Sequence, residues 1–262
     1  MNIIVCIKQV PDTESVEFDR EKGVLKREGI KAVINPFDLY ALEAALGLKD
    51  QFGANVTAIT MGPPQAEQAL RDAVSLGVDQ VVLLSDRAFA GADTLATTYT
   101  LSKAIWKIGR FDIVICGKQA TDGDTAQVGP GLAVRLGIPS VTCVSAIDLD
   151  TEQGPIRLKR VTSIGYDLLQ VNLPVLITVH PSLCSPRVPS LRGKMRAKKI
   201  QVPVWTAADI GADLNRVGLD GSPTRVSSCY VPVFEAKKEM LEGEPQEQVD
   251  RLIERLHEAG VI

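Results

Sequence analysis

VTAITMGPPQAEQALRDAVSLGVDQVVLL, residues 56–84, decides the fold. Two continuous apolar runs, Val56–Met61 and Gln80–Leu84, flank a stretch predicted to be helical over 64–76. A strand with no polar alternation suits a parallel sheet covered on both faces, and parallel neighbours need a crossover helix between them. Pro63 and Pro64 favour the first helical turn, because the proline ring fixes φ near the helical value.

The alternation continues outward from this unit. Ile3–Ile7 and Ile113–Cys116 are further strand candidates, and helices are predicted over 37–52, 92–109 and 125–137. Right-handed crossovers then give an α/β fold with a doubly wound, mainly parallel sheet over the first 146 residues. Asp124 and Gln127 have capping-box spacing ahead of the last of these helices; Gly137 stands where an αL C-cap would end it, and Pro139 follows. Residues 9–35 are an excursion, with VEFD (16–19) and VLKR (24–27) around a hairpin turn.

After Ser140 the pattern changes. VTCVSAIDL, PIRLKRVT, YDLLQVNL and VLITVH read as strands with no helix between them, which predicts an antiparallel extension of the sheet. Residues 183–199 hold six basic residues and no acid, residues 200–234 show little periodicity, and residues 245–259 read as an amphipathic helix with Val249, Leu252, Ile253 and Leu256 on one face. The expected division is a nucleotide-binding domain over 1–182, a loop over 183–199, and an arm over 200–262 that lies against another subunit.

Composition narrows the function. A chain of 262 residues, 45% hydrophobic, can bury a full core. A net charge of −3 argues against nucleic acid as a partner. No apolar run approaches the ~20 residues of a membrane span. MNIIVCIKQV reads as a first strand and not as a signal peptide. Five cysteines (Cys6, Cys116, Cys143, Cys184 and Cys229) form no CxxC, and read as thiols of a reducing cytoplasm. With two histidines, His180 and His257, and few aromatic residues, zinc sites, Ser-His-Asp triads and base-stacking platforms are hard to build. No nucleophile–base pair is visible, so a catalytic constellation is not expected.

Three segments carry candidate chemistry. CGKQATDGDTAQVGP (116–130) follows a strand, where ligands bind in open α/β sheets. Gly117 and Gly123 would allow close backbone approach, and the helix start that follows offers free N–H groups and a positive dipole end. A phosphate or pyrophosphate suits that geometry, provided Asp122 and Asp124 face away from it. A capped surface helix without a ligand is the competing reading. INPFDLYALEAAL (34–46) puts Asn35 and Asp38 at a helix start, where they contact adenine or ribose or else only cap the helix. In DRAFAGADTLATTYT (86–100), Asp93 or Thr94 would cap a helix whose face carries Thr94 and Thr97. All three can converge at one sheet edge and form a nucleotide crevice.

With VCIKQVPDTE, ITMGPPQAEQALRDA and SPRVPSLRGKMRAKK, these segments resemble the beta subunit of electron-transfer flavoproteins over essentially the whole chain. The resemblance implies a nucleotide alpha-hydrolase-like domain and a heterodimer with an alpha subunit that carries one FAD. It also implies a beta-side site holding AMP in the common branch or a second FAD in the electron-bifurcating branch. DGDTAQVGP and DRAFAGADTLAT look like the bifurcating branch, with Gly123 and Ala126 leaving room for a dinucleotide. In that branch the beta-side FAD takes a hydride from NADH. One electron passes to ferredoxin or flavodoxin, the other through the alpha-side FAD to an acyl-CoA dehydrogenase-type partner. Electron transfer, not independent catalysis, is the implied role, with NADH oxidised only by the flavin-bearing heterodimer.

Carried over by motif, Cys6 lies beside the adenosine, Asn35, Pro36, Phe37 and Asp38 line its adenine and ribose end, and Met61 ends a neighbouring strand. Asp122, Gly123, Asp124, Thr125, Ala126, Gln127, Val128 and Gly129 hold the phosphates, and Thr94 and Thr97 face the flavin ring side. Leu191 matches the leucine that plugs into the dehydrogenase, with Arg192 and Lys194 beside it, whereas Val188 and Pro189 depart from the family's commoner residues. Two other readings remain at this point: an AMP-type carrier with a single flavin, and a stand-alone nucleotide-binding regulator.

Overall fold

The protein was analysed as a computed structural model, which describes residues 1–12, 18–19, 24–25, 32–152, 154–227 and 238–262. Cys229, most of the excursion and the outer parts of its predicted hairpin lie outside the described residues. Within the excursion, β3 (Phe18–Asp19) pairs antiparallel with β4 (Val24–Leu25), and β2 (Gln9–Pro11) with β5 (Ala32–Ile34).

The predicted alternation is present. β1 (Asn2–Cys6), β6 (Asn55–Met61), β7 (Gln80–Leu84) and β8 (Ile113–Gly117) pair in parallel. They are joined through α1 (Pro36–Phe52), α2 (Glu67–Leu76) and α3 (Thr94–Ile108). α4 (Val128–Leu136) follows β8 and ends on Gly137, which is left-handed at φ 69° as its C-cap role requires. Pro64 opens a single 3₁₀ turn that leads into α2. Along β1, Ile3 and Val5 enter the core under α1 and α2, while Ile4 and Cys6 enter the core under α3 and α4. Burial on both faces is why these strands show no alternation.

Among the described residues nine strands form one sheet, ordered β11-β10-β9-β12-β8-β1-β6-β7-β13. β9 (Ser140–Leu149), β10 (Ile156–Val161) and β11 (Tyr166–Val171) are the expected antiparallel extension. β12 (Val175–Val179) is not part of it. This strand inserts between β8 and β9 and runs parallel to both. Every β12 residue is buried, whereas β10 alternates and β11 buries none of its residues, so the unbroken apolar run was the mark of an interior parallel strand.

Two further expectations change. Residues 183–199 are not wholly a loop, since α5 (Leu191–Lys199) forms behind an N-cap in which Ser190 Oγ accepts from Gly193 N–H. The stretch 200–225 does not leave the domain. β13 (Val204–Trp205) adds to β7, and Ala207, Ile210 and Val217 enter the core under α3 and α4. Tyr99 Oη accepts from Asp213 N–H at 2.9 Å, and the Arg216 guanidinium stacks 4.2 Å from the Tyr99 ring centre. Aperiodic sequence here means a strap lying over the core.

The chain divides into Met1–Arg225 and Val226–Ile262. The second unit contains α6 (Pro245–Glu258), started by Pro245 and leaving Val249, Leu252 and Ile253 exposed on its apolar face. Among the described residues no helix is long and apolar enough to cross a membrane.

Candidate nucleotide site

β1 and β8 are side by side, and the winding of the sheet reverses between them, because the chain passes from β7 on one flank to β8 on the other. The carboxyl edge at such a reversal is where open α/β sheets bind ligands. Cys6 and Cys116 are partners there, and Lys8, α1's first turn, the loop 117–127 and α3's first turn gather around them.

The loop is tied on three sides. The Asn35 side-chain amide donates to the Gln119 carbonyl at 2.8 Å and accepts from Thr121 N–H at 3.2 Å. Asn35 is buried and makes no helix-capping bond; its amide shapes the loop. Lys8 Nζ meets both carboxylate oxygens of Asp122, at 2.7 and 2.6 Å. On the third side, Thr94 Oγ1 donates to Gln127 Oε1 at 2.9 Å, which joins the starts of α3 and α4. Asp93 is the true cap of α3, accepting from Leu95 and Ala96 N–H, so Thr94 is free to face the loop. Thr97 lies one turn along α3, half-buried.

The capping box expected from Asp124 and Gln127 does not form. α4 begins at Val128, and Asp124 instead accepts from Gln119 Nε2 at 2.7 Å. Asp124 and Ala126 are left-handed, at φ 48° and 54°. A left-handed Ala126 followed by a right-handed Gln127 turns successive N–H groups to one side, the geometry of an anion-binding nest. The N–H groups of Val128 and Gly129, in the first turn of α4, have no intrahelical partner and add the positive helix end.

The two acids that threatened a phosphate reading are thus engaged, Asp122 by the Lys8 cation and Asp124 by an amide. Thr125 and Ala126 are exposed beside them.

Each glycine has its own reason. A Cβ on Gly117 would run into the Asp38 carboxylate and the Phe37 backbone, so its close approach serves α1 and not a ligand. Gly129 packs against Thr178, where a Cβ would collide with the threonine methyl, and lets α4 sit on β12. A Cβ on Gly123 would meet nothing within 4 Å, so the space next to it is open. Pro36 is exposed at the start of α1, and Met61 is half-exposed at the end of β6.

Below the loop lies a buried polar layer. The Asp38 carboxylate accepts from Lys8 N–H at 2.7 Å. Burial pushes its pKa up to about 7, against the lowering effect of bonds from Lys8 N–H, Asn35 and Gly117 N–H and of the Lys8 charge. Its hydrogen bond to Cys116, then burial, pushes the Cys6 thiol well above its ordinary value, so Cys6 is a neutral core thiol at the strand end. Leu191, Arg192 and Lys194 are elsewhere, on α5 against α2.

Lys8 and Gln119, which engage Asp122 and Asp124, are the residues of the candidate site that the sequence reading did not single out. Lys8 was findable, since it follows the central strand at its carboxyl end. Gln119 was not, because the spacing of its partner Asp124 is that of a helix cap.

The electron transfer flavoprotein domain model matches residues 22–210. The electron transfer flavoprotein subunit beta of Thermoanaerobacterium thermosaccharolyticum is 47% identical over 263 residues, with 100% of both chains covered. Protein FixA of Azorhizobium caulinodans is 47% identical over 244 residues, covering 91% of this chain and 87% of that protein. The caffeyl-CoA reductase-Etf complex subunit CarD of Acetobacterium woodii is 42% identical over 264 residues, again with 100% of both covered. A doubly wound sheet, a family model over residues 22–210 and relatives matched over most or all of their length lead to one conclusion: the chain belongs to the electron transfer flavoprotein family, among its beta subunits.

Proposed function

We propose that this chain is the beta subunit of an electron-bifurcating heterodimer and that its crevice holds FAD in place of AMP. The observation that carries the reading is the cradle at the start of α4. It combines a nest at Ala126 and Gln127, free N–H groups on Val128 and Gly129, acids engaged by Lys8 and Gln119, and open space at Gly123. A pyrophosphate fits such donors, and the open side gives a dinucleotide somewhere to extend. FAD held there would supply a two-electron acceptor for hydride from NADH able to pass its electrons on singly, one toward ferredoxin or flavodoxin and one toward the alpha subunit's FAD.

The chain's own residues bind and orient. Lys8 neutralises Asp122, so the phosphate edge is not an uncompensated acid. Asn35 fixes the loop, with Pro36, Phe37 and Met61 at the adenosine end, and Thr94 and Thr97 line the side toward the flavin ring. Leu191, Arg192 and Lys194 form the docking surface for an acyl-CoA dehydrogenase-type partner, and the relative named as a subunit of a caffeyl-CoA reductase complex supports a partner acting on CoA esters. The cytoplasm, where such partners and NADH occur, is the proposed location. Acid release of nucleotide from the copurified heterodimer tests the reading: two FAD and no AMP are expected, whereas one FAD with one AMP would establish the carrier type instead.

A further inference from the structure

We propose that the Arg187–Glu43 ion pair is a positioning device: it locks the segment 187–199 onto α1 and α2 so that Leu191 and Met195 stand out together as a preformed apolar ridge for a partner with an apolar socket and an acidic rim. The inference rests on the docking reading of Leu191 given above.

Arg187 is held by the side chains of one helical face. Its Nε donates to Glu43 Oε2 at 2.8 Å, its Nη2 to Glu43 Oε1 at 2.9 Å and to Asp50 Oδ2 at 2.8 Å, and its backbone N–H to Glu43 Oε2 at 3.0 Å. A two-pronged guanidinium–carboxylate fork fixes direction as well as distance, which a lysine would not. The helix that follows is seated by contacts of its own. Gly193 lies so close to the Ser75 carbonyl oxygen that a Cβ would overlap it. Arg71 Nη1 donates to the Ala197 carbonyl at 2.6 Å, and Arg196 Nη2 to the Asp79 carbonyl at 2.7 Å.

These holds decide what faces outward. Ala197 is buried against α2, while Leu191 and Met195, four residues apart on one helical face, are 79% and 55% exposed. Val188, just before the helix, is 87% exposed. A nine-residue helix is marginal by itself, so its orientation depends on those anchors. Holding the ridge in place in advance removes an ordering cost from binding. Arg192, Lys194, Lys198 and Lys199 surround it, which suits an acidic rim on the partner.

The test uses the heterodimer with its alpha subunit and, as probe, an acyl-CoA dehydrogenase that the wild-type heterodimer, supplied with NADH and ferredoxin, reduces saturably. Arg187→Gln should raise KM for the dehydrogenase about ten-fold, with kcat and bound flavin unchanged. Glu43→Gln, a milder change, should act in the same direction, and Arg187→Lys should recover only part of the loss. Because the clamp acts through the ridge, Arg187→Gln added to the double variant Leu191→Ala/Met195→Ala should raise KM less than two-fold beyond that double variant alone, on the order of the additivity error. Met195→Ala should resemble Leu191→Ala. An unchanged KM for Arg187→Gln, or an effect that multiplies fully with that of Leu191→Ala/Met195→Ala, overturns the clamp while leaving docking in place. An unchanged KM for Leu191→Ala overturns the docking reading and the clamp with it.

Discussion

Replacing Asp38 with asparagine should flatten the dependence of stability on pH. In the folded chain this carboxyl, buried at the start of α1, keeps its proton until about pH 7, against an ordinary value of 3.8. Between those values the folded state holds a proton that the unfolded chain has released, so stability falls as pH rises and levels off above the folded value. The steepest slope one group can give is about 1.4 kcal/mol per pH unit, so the full span is worth about 4 kcal/mol. The substituted amide would keep an oxygen to accept from Lys8 N–H and has no proton to lose. The amide nitrogen would face the Asn35 and Gly117 donors, which offsets the variant's whole curve by a constant, but between pH 4 and pH 8 the variant should change little while the wild type loses up to about 4 kcal/mol. Paired denaturant titrations at several pH values across this interval read the difference directly. If the two stability curves run parallel across it, Asp38 ionises normally and the buried polar layer has been misdescribed.

Three other perturbations probe separate parts of the argument. Gly123→Glu meets no neighbour in the folded loop, so the fold should survive while the beta-side nucleotide is lost; a folded variant that retains all its nucleotide refutes the phosphate assignment. Deleting residues 226–262 removes a unit whose helix leaves an apolar face exposed, and should cost the alpha subunit in copurification; unchanged recovery of alpha would end the idea of an arm. Thr60 Oγ1 is the one buried side-chain oxygen without a partner among the described residues, so Thr60→Val should raise the unfolding midpoint, by about 1–2 kcal/mol of stability. A lowered midpoint would mean that the hydroxyl is satisfied in solution.

The parallel half of the sheet was legible because burial on both faces writes unbroken apolar runs, and Gly137 marked a helix end through its left-handed backbone. The unbroken run of β12 carried the same mark, but with no helix predicted before it the run reads as one of the antiparallel set, and only its uniform burial sets it apart from β10 and β11. The strap 200–225 was unreadable for a different reason. It is fixed by isolated contacts, such as Arg216 on Tyr99 and β13 on β7, and no repeating period announces such contacts. In the candidate site, residue types alone singled out the loop after β8 and the starts of α1 and α3, which the fold does bring together at one sheet edge. They did not show which polar groups satisfy one another. Asp124 had the spacing of a cap, yet the backbone turns left-handed there and Gln119 takes the carboxylate.

α1 gives the proposed nucleotide crevice and the proposed docking ridge a common support. Its first turn contributes Asp38 to the buried layer and lies against Gly117, with Asn35 immediately before it tying down the loop 117–127. Its outer face carries Glu43 and Asp50, which hold Arg187 and hence the segment leading to Leu191. Asp38 and Glu43 are five positions apart, about 7.5 Å along a helix axis at 1.5 Å per residue. A helix is stiff on that scale, and this one is packed along its length by Ala41, Leu42, Ala45 and Leu46 in the core. A partner seated on the ridge would therefore meet the crevice at a fixed offset, set by one packed helix and not by a loop.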